Sequence, residues 1–236
     1  MPAVPSSPPL VLLPGMNCSA RLWGPAGAGA LHPVLDRPTL DDQVEALLDA
    51  LPGRFALGGL SLGGIVAMAL TRRAPDRVAG LCLMATNARP PAPAQRAGWD
   101  AALTRLDDGA PARALQPLEL LLHDRSHDDT ALRMADEVGE RRLAAQLRLQ
   151  GSRVDERPAL PAVAVPTLVL AGAHDRLCPV DRHTEIAGLV PGARLHVLPR
   201  AGHLLPVEAP DTVATLVAGW TATVHARERA RVAGRH

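Results

Sequence analysis

The chain alternates between short, largely apolar runs and longer segments in which apolar residues recur every three or four positions. Residues 8–13 are a run of the first kind, ended by Pro14-Gly15, and read as a buried strand. Residues 54–57 and 78–84 read the same way, and 165–171 and 193–198 read as two further strands. Residues 31–35 form a weaker strand, which His32 and Pro33 put near a sheet edge. Helices fall between these runs. Residues 20–23 make a short helical turn. Thr39 caps a longer helix, with Asp41 and Asp42 in its first turn and Val44, Leu47, Leu48 and Leu51 on one stripe. Residues 65–70 run on to Arg72-Arg73 and Pro75, a basic end followed by a stop. A helix is expected near 180–189. The last begins at Pro210 and carries Val213, Leu216, Val217 and Trp220 on one face. Residues 227–236 are polar and expected to fray.

Strands alternating with helices predict an α/β fold, a mostly parallel sheet with helices on both faces. The alternation stops after Asn87. From about 88 to 158 the patterns are helical only, over 93–106, 111–123 and 130–150. The chain thus divides into a core of 1–87 with 159–236 and an inserted helical segment of 88–158. No internal repeat interrupts it.

The length of 236 residues suits one domain, with or without an insertion, and the 47% apolar content is enough for a sizeable core. A net charge of +1 gives no electrostatic case for nucleic acid or an anionic membrane. All 25 basic residues are arginine, which, with 23 prolines, points to coding bias rather than function. Tyrosine is absent and Phe55 is the single phenylalanine, so beside Trp23, Trp99 and Trp220 a substrate pocket must be lined mainly by aliphatic side chains. Cys18, Cys82 and Cys178 are odd in number and far apart, which argues against a disulfide framework. The N-terminus lacks a basic region before its apolar run, and no apolar run nears about 18 residues. The expectation is a cytoplasmic protein, monomer or homodimer, with no membrane or nucleic-acid partner.

Chemistry enters at Gly59-Leu60-Ser61-Leu62-Gly63, between a strand pattern and a helix pattern. A serine flanked by glycines two residues away fits a nucleophile elbow, where the hydroxyl is held out on a strained turn and neighbouring backbones leave no room for a Cβ. The Leu62 amide, at the helix start, can then face an oxyanion. Ligands bind beyond the carboxyl ends of parallel strands. Two later loops reach that edge: 172–179, which offers Asp175, and 201–203, which offers His203 just before the final helix. Asp181 and His174 are rivals to Asp175; Asp181 is better placed to start the next helix.

With those residues in view the sequence resembles the α/β-hydrolase superfamily, in the group that carries an inserted helical cap. "GLSLGG", "LVLAGAHDRLCP" and "AGHLLPVEAP" fall at family positions, and the likeness runs from about Leu10 to Thr223. "LVLLPGMNCSARLW" is similar to the family's first oxyanion loop, which implies that Met16 supplies a second oxyanion amide; Pro14 stands where a histidine is usual. The link from Trp23 to Thr39 is short, as in a compact variant lacking its first one or two strands. The resemblance implies residues 88–158 as the cap, and catalysis by Ser61, His203 and Asp175 through an acyl-enzyme, with no cofactor and no metal. It implies a small-molecule acyl substrate: an ester, lactone or thioester. The same fold also hosts C–C hydrolases, cofactor-free lyases or cyclases, and slow-turnover sensors.

Blander readings compete for other residues. Cys18 and Cys178 lack an assigned base, and Cys82 reads as core. His123 to Asp129 is a polar link whose Ser and Asp suit caps and turns better than a metal. The cap arginines are nearly matched by acids, Trp99 on a cap helix reads as core packing ahead of a ligand contact, and no arginine can be assigned to a substrate carboxylate from sequence.

Overall fold

The computed structural model describes residues 7–234. Its strands are β1 (Leu10–Leu13), β2 (Phe55–Leu60), β3 (Val78–Met84), β4 (Thr167–Gly172) and β5 (Arg194–Leu198), lying side by side in that order in one all-parallel sheet. In chain order the helices are α1 (Leu40–Ala50), α2 (Leu62–Arg73), α3 (Pro93–Asp107), the single turn α4 (Leu118–Leu121), α5 (Asp128–Ser152), α6 (Val180–Leu189), the single turn α7 (Leu205–Glu208) and α8 (Pro210–Ala233).

Parallel neighbours need crossovers, and the pleat sends alternate side chains to opposite faces. In β3, Leu81 and Leu83 pack with Leu47, Val66 and Ile186 of α1, α2 and α6. Cys82 and Met84 pack on the other face with Val213, Val217 and Trp220 of α8 and with Trp23. Coverage on both faces explains why β2, β3 and β4 are buried throughout and read as unbroken apolar runs. Each large side chain buried this way contributes about 1.5–3 kcal/mol. Thr39 caps α1 by accepting from the Asp42 amide at 3.2 Å. Between β3 and β4 a smaller third cluster joins Leu106, Val138, Leu143 and Leu147 with Trp99. Among the described residues no helix is long and apolar enough to cross a membrane.

Four expectations need correction. Residues 31–35 form no strand: Leu31 alone bridges Val11, and Pro33 has no amide with which to extend the ladder. Residues 111–123 are not one helix but a 3-10 turn, Ala112–Leu115, and then α4. Pro117 drives the break, holding Gln116 in extended geometry (φ −78°, ψ 114°). The helix expected over 130–150 starts earlier, at Asp128, and is broken at Gly139, whose φ of 73° suits glycine alone. Finally, residues 227–233 do not fray. Glu228 is buried and accepts from Arg54 and Arg231, each at 2.9 Å, which docks the end of α8. The readings made on residues 1–6 and 235–236 lie outside the described residues.

Candidate active site

The loops after β1, β2, β4 and β5 gather at the carboxyl edge of the sheet. β2 passes straight into α2 at Ser61, whose φ of 53° and ψ of −113° are rare for a residue with a side chain. The turn is held from several sides. The Ser61 amide donates to the Met84 carbonyl at 2.9 Å, and the Thr86 hydroxyl donates to the Ser61 carbonyl at 2.8 Å. A Cβ at Gly59 would strike the Gly63 carbonyl, and one at Gly63 the Leu13 carbonyl, so only glycine lets the turn close against β1. Behind it lies the buried His183. Its Nε2 accepts from the Thr86 amide at 3.0 Å, so Nδ1 carries the proton and faces the Pro179 carbonyl at 3.3 Å. Burial lowers the pKa of this imidazole, which favours the neutral form that the contact requires.

Asp175 follows β4 and His203 follows β5. Their loops are laced together, with the Ala173 amide on the Leu198 carbonyl and the His174 amide on the Ala201 carbonyl. Asp175 Oδ1 accepts from the amides of Leu177 and Cys178 at 2.9 and 2.8 Å, while Oδ2 accepts from His203 Nδ1 at 2.8 Å. Both side chains are buried. Burial pushes the Asp175 carboxyl upward, but His203 and the two amides outweigh it and leave its pKa below the usual carboxylate value. With Nδ1 committed to the carboxylate, His203 Nε2 is left as the acceptor. The rivals lie elsewhere: Asp181 is exposed and pairs with Arg182, and His174 stacks on His123 with ring centroids 3.8 Å apart.

Ser61, His203 and Met16 line one cavity of about 370 Å³, closed on its far side by Trp99, Leu143 and Leu147 from between β3 and β4. The lining is mainly aliphatic, in keeping with the composition. Leu62 opens α2, so its amide has no helical acceptor, and neither it nor the Met16 amide donates to another group among the described residues. Cys18 also lines the cavity, but burial pushes its thiol up to about 12, as it does that of Cys178. Neither is a thiolate near neutral pH. In the 123–129 link, Asp124 caps the Ser126 amide and Arg125 pairs with Asp128.

Several positioning residues were not singled out in the sequence. Thr86 and His183 brace the serine turn. Asn17 (φ 57°) fixes the Met16 loop: its amide donates to Gln146 Oε1 at 2.8 Å, and its side chain donates to Gln116 at 3.0 Å. Glu208 accepts from the amides of Gly202, His123 and Asp124 at 2.8, 2.7 and 3.0 Å, and the Leu121 carbonyl accepts from the His203 amide at 2.9 Å. Two of these left a trace, Asn17 within "LVLLPGMNCSARLW" and Glu208 as the acid in "AGHLLPVEAP".

Comparison with known proteins agrees with this architecture. The chain is 32% identical to a pimeloyl-[acyl-carrier protein] methyl ester esterase of Aromatoleum aromaticum, over 89% of this chain and 96% of that protein. It is 31% identical to a 2-hydroxymuconate semialdehyde hydrolase of Pseudomonas putida, over 71% of this chain and 62% of that one. Among solved structures, a thermophilic esterase from Thermogutta terrifontis superposes with a TM-score of 0.82 at 27% identity, covering 93% of this chain and 91% of the other. The family profile itself spans residues 10–216, and the chain belongs to the alpha/beta hydrolase family.

Proposed function

We propose that the protein is a serine hydrolase that cleaves a small ester, lactone or thioester through an acyl-enzyme on Ser61. The observation that carries this reading is the 2.8 Å contact from His203 Nδ1 to Asp175 Oδ2, with the imidazole lining the same cavity as a serine held at positive φ. As the Ser61 oxygen attacks the acyl carbon, His203 Nε2 takes the hydroxyl proton, and Asp175 fixes the tautomer and stabilises the imidazolium. The amides of Leu62 and Met16 receive the developing oxyanion; loss of one such donor costs about 10²–10³ in rate. Collapse breaks the bond to the leaving group, which takes the proton from Nε2. Water, deprotonated by His203, then attacks the acyl-serine, releases the acid and restores the serine hydroxyl.

Residues 88–158 act as the cap of this site, since α3 and α5 supply the far wall of the cavity. A fluorophosphonate probe should label the protein and spare Ser61→Ala, and acyl esters of graded length should be turned over only by the protein with Ser61. No labelling removes the activated serine. Labelling without turnover of esters, lactones or thioesters turns the reading toward C–C bond cleavage, as in the 2-hydroxymuconate semialdehyde hydrolase relative.

A further inference from the structure

The described residues bury four Asp, Glu or Arg side chains: Asp175, Glu156, Glu228 and Arg153. Each carboxylate has a side chain that donates to it. Asp175 has His203, Glu156 has Arg72 at 2.8 Å, and Glu228 has Arg54 and Arg231. Arg153, only 5% exposed at the end of α5, has no carboxylate among the described residues. The acids that follow it in sequence are taken: Asp155 binds Arg157 and Glu156 binds Arg72. Glu185, on α6, pairs with Arg89 at 2.8 Å.

What surrounds the guanidinium instead is neutral. Nη1 donates to Gln150 Oε1 at 2.9 Å and Nη2 to Gln95 Oε1 at 2.8 Å. Its carbon stands 5.3 Å from the centre of the Trp99 ring, and Nε has no partner among the described residues. Burial lowers the Arg153 pKa, and the nearby Arg96 adds to that effect rather than relieving it. A buried cation without a counter-charge is costly, and an anion that enters the same low-dielectric region recovers much of that cost.

The place such an anion can come from is the cavity. Of the three side chains in contact with Arg153, Gln95 and Trp99 line it alongside Ser61 and His203, so Arg153 stands directly behind that lining. Gln95 Oε1 is occupied by Arg153 and by the Ala92 amide at 3.0 Å, which leaves its Nε2 without an acceptor among the described residues.

We infer that the cavity takes an ester carrying a carboxylate at the end remote from the bond that is cut, and that Arg153 with Gln95 reads that carboxylate. This rests on the proposed reaction for which end faces Ser61, but the binding of the charged end does not depend on turnover. The test is therefore a binding measurement. Ser61→Ala protein is titrated calorimetrically with monomethyl adipate and with dimethyl adipate, which differ by one charge at nearly constant shape. The half-ester is expected to bind at least tenfold more tightly. Adding Arg153→Met removes the difference by weakening the half-ester alone, and Arg153→Lys keeps part of it. Equal affinity for the two esters, no measurable binding of the half-ester, or equal weakening of both by Arg153→Met overturns the inference. The comparison of the two esters on Ser61→Ala protein holds even if the Met variant folds poorly. A failure of the hydrolase reading shows separately, as absent probe labelling.

Discussion

The two walls of the cavity are built differently. The wall of the sheet carries Ser61 and His203 on turns where main chain meets main chain, so tightly that Gly59 and Gly63 have no room for a Cβ and Gly172 is pressed against the Gly202 carbonyl. The opposite wall, from α3 and α5, is a patch of side chains held by its own small cluster and by side-chain hydrogen bonds such as that from the Asn17 amide to Gln146. Backbone contacts leave reacting atoms no freedom. Side-chain contacts can be exchanged one at a time. Under the proposed function, reaction chemistry belongs to the first wall and choice of substrate to the second.

The largest expected effect tests the first half of that division. Asp175→Asn offers His203 a donor where it needs an acceptor and should lower kcat by about 10⁴, with little change in melting temperature. A loss below about tenfold in steady-state turnover would show that the imidazole is not held by this carboxylate. Next come paired substitutions across the cavity. Gly63→Ala drives a methyl into the Leu13 carbonyl and should cost about 3 kcal/mol, whereas Leu143→Met on the other wall should cost less than about 1.5 kcal/mol. Equal tolerance in denaturant unfolding would erase the contrast. Gln146→Ala leaves the Asn17 amide and the Leu35 carbonyl without their partner, at about 1–3 kcal/mol.

The smallest effect is in pH. The folded-state pKa values of Asp175 and Glu228 are depressed, so their stabilisation is complete above the unfolded carboxylate values of about 4 and is lost as pH falls through the folded ones. Acid unfolding curves should begin to decline below about pH 6.5, where protonation of the unfolded chain competes with the buried neutral His183, and fall further below about pH 5, that lower part less steeply in Asp175→Asn.

The same contrast decides what could be read from sequence. β3 and α6 match the patterns at residues 78–84 and 180–189, because two-faced burial and helical periodicity are local signals. The serine turn was legible for a similar reason: its glycines sit two residues either side of Ser61. The segment between β3 and β4 was legible only as helical. Pro117 and Gly139 redirect it, and each competes with a periodicity that continues through it. Thr86, His183, Asn17 and Glu208 act through partners far away in the chain, as the span from Asn17 to Gln146 illustrates. The docked end of α8 depends in the same way on Arg54, which no pattern within residues 227–233 could announce.

One carbonyl gives the molecule a mechanical property. Leu121 lies on α4, beside the cavity, yet its oxygen is shared by the main-chain amides of His203 and Leu204. That one oxygen ties the single turn at the edge of the cavity to the backbone just ahead of α7, so α4 cannot shift without carrying residues 203 and 204 with it.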